Sequence, residues 1–132
     1  MATTAFDPFA TFVHLRAKGE VNPVPWTPGF WRELTTADGE RVVGAKHGRA
    51  ANDFHPSECE MHPCGDELLY LLSGSVDVVF EEPGGDRAVP LRGGEACIVP
   101  RGVWHRIVMH APADLLFVTP PKGTELRPAR GR

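Results

Sequence analysis

From Phe30 onward, apolar residues fall in short runs separated by pairs of turn-forming residues. Residues 30–35 read as a strand ended by Asp38-Gly39, a hairpin-type signal. Residues 41–47 follow, and then 57–62. Residues 66–72 come next and are turned by Ser73-Gly74. The run 76–81 stops at Pro83-Gly84-Gly85-Asp86, 87–91 at Gly93-Gly94, and 95–99 at Pro100-Arg101-Gly102. Two more runs, 103–109 and 114–119, stop before Pro112 and at Pro120-Pro121. Eight or nine strands at intervals of about 8–12 residues, with no long helical pattern, predict an all-β sandwich or barrel.

Upstream the pattern is less regular. Asp7-Pro8 could cap a short helix carrying Phe9, Phe12, Val13 and Arg16, while Thr11-Phe12-Val13-His14-Leu15 is rich in β-favouring residues. A strand is expected there. Pro23, Pro25 and Pro28 imply an extended arm, which Trp26, Phe30 and Trp31 would pack onto the main body or a second subunit. The expected organisation is an N-terminal arm over 1–29, a barrel over 30–121 and a loose polar tail over 122–132.

Composition sharpens this reading in three respects. A formal charge of −3 with scattered ionisable residues gives no footprint for nucleic acid or an anionic membrane. No apolar run has the length of a membrane span, and the N-terminus lacks the basic start and apolar centre of a secretory signal. A cytoplasmic location is therefore expected. Cysteines 59, 64 and 97 form an odd set without C-x-x-C spacing, which favours free thiols over a disulfide framework or zinc knuckle.

The candidate chemistry is concentrated in Glu60-Met61-His62-Pro63-Cys64-Gly65-Asp66-Glu67. Residues two apart on a strand face the same side, so Glu60 and His62 point together. Glu67, five residues after His62, joins them only if a bend at Pro63 and Gly65 restores its facing. His105 reaches the same point only if its strand neighbours or faces the first. Two imidazoles and two carboxylates suit Mn, Fe, Co, Ni or Zn. Ile107 and Met109 share the parity of His105, and Leu69 and Leu71 that of Glu67, which would make an apolar wall beside the metal. His55 could line the mouth. Trp104 should face away.

Taken together, two segments resemble the paired motifs of the cupin superfamily. Glu60-x-His62-x4-Glu67-x6-Gly74 matches the spacing of the first motif, with Glu60 where a histidine usually stands. Gly94-x5-Pro100-x-Gly102-x2-His105-x3-Met109 matches the second, with Met109 in place of asparagine. The resemblance spans about residues 54–119. It implies a double-stranded β-helix, a jelly-roll barrel holding one divalent metal ion (Fe, Mn, Zn or Ni) on Glu60, His62, Glu67 and His105. A less favoured registration pairs His62 with Cys64, and Cys64 shares the face of His62 and could look into the pocket.

The resemblance further implies a small-molecule substrate chelated to the metal, with dioxygenase-like or isomerase-like chemistry and Glu60 or Glu67 as general base. Barrels of this class commonly pair by sheet packing, so a homodimer is expected. The competing expectation is a non-catalytic module that binds a small ligand or metal and reports on it.

Overall fold

The computed structural model describes residues 4–130. The described residues form nine strands and one short helix: β1 Thr11–Leu15, β2 Val21–Pro25, α1 Phe30–Glu33, β3 Arg41–Gly48, β4 Glu58–Met61, β5 Glu67–Glu82, β6 Gly85–Arg92, β7 Ala96–Val99, β8 His105–Thr119 and β9 Glu125–Pro128. All pairings are antiparallel, and β8 is the hub, bonded to β3, β4 and β5. The all-β expectation holds.

The strands expected over 66–72 and 76–81 are one strand, β5, and those expected over 103–109 and 114–119 are one strand, β8. Ser73-Gly74 and Pro112 do not reverse the chain. The two long strands pair from Leu68↔Val118 to Phe80↔His105, with register shifts confined to the stretch between Leu71 and Val76. A bulge bends a strand without ending it, so both strands turn the barrel corner together. Along β5, Glu67, Leu69 and Leu71 and then Val76, Val78 and Phe80 are buried. With Phe54, Leu91, Val99, Ala113 and Leu115 they form the main core. The opposite face of β5 and β7 leaves Leu68, Tyr70, Leu72 and Ile98 exposed.

Residues 30–35 are not a strand. Phe30–Glu33 is a single helical turn, closed by the Glu33 amide to the Gly29 carbonyl and the Leu34 amide to the Phe30 carbonyl. Ring packing overrides the β propensity of Phe and Trp here. Phe30 stands edge-on to Phe12 at 5.1 Å, and Phe12 packs edge-on to Phe117 at 5.3 Å, beneath a second small core with Val42. The arm is also more than an extended tether. β1 joins β3, and β2 pairs with β1 as an outer strand whose free edge tolerates Pro23 and Pro25. Trp26 remains exposed.

Glu40 fastens this segment. Its carboxylate accepts bonds from the Ala37 and Ala17 amides and from Arg16, and contacts His14 Nε2 at 2.9 Å. The two amide bonds are the leading reason its pKa falls from 4.5 to about 2. A lowered pKa contributes stability above the ordinary value that is lost as pH falls through the folded value. Acid titration from pH 4.5 towards 2 should therefore release β1 early, seen as accelerated amide exchange in 11–15, and Glu40→Gln should flatten that dependence.

The tail expected to be loose contains β9, which pairs with β4 from Glu58↔Pro128 to Met61↔Glu125. It is held by ions as well. Glu81 accepts from Arg127 at 2.6 Å and from the Arg130 amide, and Arg130 reaches Asp86 at 2.8 Å. The Arg127 guanidinium lies over the Trp104 ring at 4.2 Å.

Candidate metal centre

Strand β4 delivers Glu60 and, just past its end, His62. A turn over Pro63–Gly65 then brings the chain back to Glu67 at the start of β5. This is the bend that the spacing required. His105 opens β8 directly opposite Glu60 in the register. Two further bonds fix the approach: the Gly102 amide donates to the His62 carbonyl at 3.0 Å, and the Arg101 amide to Asp66 Oδ1 at 2.8 Å. The loop before β8 is thus tied to the turn that carries the first three residues.

Glu60 and Glu67 each approach the same two imidazoles, His62 and His105. Donor atoms of Glu60, His62 and His105 lie within 4.8 Å of one another. Glu67 Oε1 is 3.0 Å from His105 Nε2 and 3.4 Å from His62 Nε2. His62, Glu67 and His105 are buried, while Glu60 stays open to solvent on one side.

The proton positions are informative. His105 Nδ1 lies 3.2 Å from the Val103 carbonyl, which can only accept, so Nδ1 carries the hydrogen. In a neutral ring, Nε2 then presents a lone pair to a carboxylate oxygen 3.0 Å away. Two acceptors at that distance need a cation between them, either a second ring proton or a metal ion. His62 has the same problem in another form. Its Nδ1 is engaged by Thr124 Oγ1 at 2.8 Å, and its buried Nε2 has no hydrogen-bond partner among the described residues. Leaving such an atom unpaired is costly. Donors bound to one metal at about 2.1 Å sit about 3.0–3.4 Å apart at octahedral or tetrahedral angles, and the spacings of Glu67 to the two imidazoles fit that range.

The carboxylates differ. Burial of the Glu67 carboxyl opposes ionisation, but contacts from His105 and His62 outweigh it and lower its pKa well below the ordinary range. Thr119 Oγ1 donates to its other oxygen. At Glu60, packing around the carboxyl first and the Glu67 charge second push the pKa up. At His105, burial works against the charged form, yet Glu67 prevails and the pKa rises.

The sequence-derived pocket residues divide. Leu69 is in the main core, with Ile107 and Met109 half-buried against it. His55 is exposed, in a left-handed conformation (φ 51°), and close enough for its charge to act on Glu60. Cys64 does not join the cluster: its thiol contacts Asp38 Oδ1 at 3.5 Å and its electrostatic neighbours are Asp38, Lys122 and Arg101. The turn at Pro63–Gly65 swings it away from His62. Sequence reasoning missed Thr119 and Thr124. Thr119 was accessible, since it continues the inward parity of Leu115 and Phe117. Thr124 was not, because it follows a proline turn in a segment with no strand pattern. One surface cavity of about 280 Å³ lies between β2 and α1, and another of about 210 Å³ touches Glu67 beside Leu68 and Ile98. The four-residue cluster is centred on neither.

A family model described as a cupin domain matches residues 51–119, more than half of the chain and both motif segments. This chain belongs to the cupin superfamily. The cupin resembles an uncharacterized conserved protein with a double-stranded β-helix domain from Klebsiella pneumoniae, at 21% identity and a TM-score of 0.54, covering 74% of this chain and 81% of that one. A cupin-2 domain containing protein from Shewanella frigidimarina matches at 17% identity and a TM-score of 0.48, covering 66% and 74%. Hydroxypropylphosphonic acid epoxidase from S. wedmorenis, solved with fosfomycin, matches at 18% identity and a TM-score of 0.46, covering 61% of this cupin, which spans only 42% of the epoxidase. No curated protein matches. The fold is a double-stranded β-helix with the His and Glu cluster at one end of its core. No helix among the described residues is long and apolar enough to cross a membrane.

Proposed function

We propose that this cupin is a metal-dependent enzyme acting on a small organic substrate, in dioxygenase-like or isomerase-like chemistry, in the cytoplasm where its three free thiols stay reduced. The observation that carries the reading is the buried convergence of two imidazoles on one carboxylate: Glu67 Oε1 lies 3.0 Å from His105 Nε2 and 3.4 Å from His62 Nε2. His62, Glu67 and His105 would hold one divalent ion, with Glu60 left unbound beside it as the general base. When bound, the ion would supply Lewis-acid polarisation of substrate oxygens or, if it is iron, oxygen activation. Thr119 keeps Glu67 oriented, and the lowered pKa keeps it ionised as a ligand. Glu60 differs: its raised pKa and its open side suit it to take a proton from substrate and release it to solvent. Ile107 and Met109 would exclude water from the carbon skeleton.

Protein purified without an affinity tag under anaerobic conditions should carry a first-row metal near one per chain by elemental analysis. Oxygen consumption should then appear with one class among catechols, β-diketones and thiols under ferrous loading. Metal without turnover points instead to a binding module. Absence of metal, together with no thermal shift on adding Mn, Fe, Ni or Zn, would sink both readings.

A further inference from the structure

The sheet that carries Glu67 and Thr119 is apolar on both faces, and the chain covers only the inner one. Across six strands the register aligns Ile98, Leu68, Val118, Val43, Val13 and Pro23 in one unbroken row outside the barrel. A second rank, Ala96, Tyr70, Leu116 and Ala45, runs beside it, and a third joins Val21, Leu15 and Arg41. The alternate residues, among them Phe12, Val42 and Leu69, already fill the two cores. Leu68, Tyr70 and Ile98 are 37%, 36% and 63% exposed. An antiparallel sheet usually keeps one polar face for water, and monomers seldom expose a large contiguous apolar patch. Six strands about 4.8 Å apart and three ranks about 6.8 Å apart give on the order of 500 Å² in plan. Side-chain relief brings that close to the roughly 800 Å² that one partner contributes to a standard interface.

The edges of this sheet resist strand addition. Trp26 donates its amide to the Ala10 carbonyl, so by alternation Val24 and Asn22 turn towards β1, and Val21, Pro23 and Pro25 turn outwards. Two of those three have no N–H to offer. At the other side β7 is only four residues long. A partner is therefore expected on the face, and the charges at its border identify that partner. Arg41 and Asp66 flank the hollow of about 210 Å³ that Leu68, Ile98 and Val118 line. Among the described residues neither meets an opposite charge. Arg41 donates to the Gly39 carbonyl at 3.3 Å, and Asp66 accepts from the Arg101 amide at 2.8 Å. At the opposite end of the strands Asp114 is already paired with His47 and Arg49. β3 and β5 lie on either side of β8; Arg41 opens the first and Asp66 precedes the second. A two-fold axis along β8 exchanges β3 with β5 while keeping their ends together, which sets each unpaired cation against an unpaired anion. The face is complementary to itself.

Independently of the metal-site reading, we propose that a second copy of this chain covers the face, sheet against sheet, about a two-fold axis along β8. Arg41 of one protomer then pairs with the partner's Asp66, and Leu68, Val118 and Val43 form the centre of the buried area. Such aligned packing of two sheets is one of the common arrangements.

Sedimentation velocity at micromolar concentrations provides the test. Wild-type protein should run as a dimer of the 14.4 kDa chain. Leu68→Lys alters an exposed side chain and should give a monomer that is folded by circular dichroism. Arg41→Glu and Asp66→Lys should each weaken association by about tenfold or more, because each sets like charges together at two symmetric contacts. Mixing those two variants should restore the dimer, since the reversed charges then face each other across the axis. A pair within one chain could not be rescued by mixing. Asp66→Asn keeps an oxygen for the Arg101 amide and should weaken the dimer severalfold. A monomeric wild type leaves the face to another partner and overturns the proposal, as does a dimer that Leu68→Lys leaves intact. No recovery on mixing two folded variants overturns the two-fold pairing of Arg41 with Asp66.

Discussion

His105→Ala should reduce metal content from near one per chain to background, with affinity falling by about a hundredfold or more. Removing a mere supporting partner of a ligand typically costs ten- to a hundredfold, and His105 would be a ligand itself. The ring is held from behind by the Val103 carbonyl, which keeps Nε2 turned toward Glu67. Its loss also leaves Glu67 without its closest cationic neighbour, so the folded variant should be less stable even without metal. His110→Ala is the control. That histidine is exposed and paired with Asp77 at 2.9 Å, and its loss should leave metal content unchanged. Thr124→Val tests the second imidazole more gently. It removes the group at His62 Nδ1, and affinity should drop by about tenfold. Isothermal titration with zinc, checked by circular dichroism for folding, reads all three. Full metal retention in His105→Ala would remove the basis of the proposed function.

Much of this site was legible because strand parity is a strong local rule. Glu60 with His62, and His105 with Ile107 and Met109, needed only the period of two. The bend at Pro63–Gly65 was signalled by its own residue types. Cys64 shows the limit: the same turn that restores Glu67 carries Cys64 off the shared face, and parity does not hold through a turn. The fold follows the same division. Turn pairs at Pro83-Gly84 and Gly93-Gly94 do separate strands, whereas Ser73-Gly74 and Pro112 bend two strands that continue. A glycine with positive φ serves either purpose, and only the partner strand distinguishes a bulge from a turn. β9 was hidden for a different reason. Its pattern is exposed throughout, because pairing with β4 and the ion pairs to Glu81 hold it in place of apolar burial. The helix at Phe30 is set by contacts with Phe12 and Phe117, which are distant in sequence.

The bulge reading of Gly74 leads to a large expected loss of stability. Gly74 (φ +95°) and Gly102 (φ +78°) both occupy backbone space that side chains adopt only with strain, about 1–2 kcal/mol for an L-residue. Their surroundings differ. A Cβ on Gly102 meets nothing within 4 Å, whereas one on Gly74 would overlap the Pro112 carbonyl oxygen and lie 2.6 Å from the Ala113 Cα. Those atoms are backbone, at the corner where β5 and β8 bend together, and they cannot rotate away. Shifting β8 there would also disturb Ala113 and Leu115 in the core. Gly102→Ala should therefore cost only the conformational strain, while Gly74→Ala adds about 1–3 kcal/mol of overpacking and possesses no cheap relaxation. Against a total stability of about 5–15 kcal/mol, the second variant should show a clearly lower urea midpoint and faster unfolding. Equal midpoints for the two variants would mean that β8 yields at Pro112, and that the corner is held elsewhere.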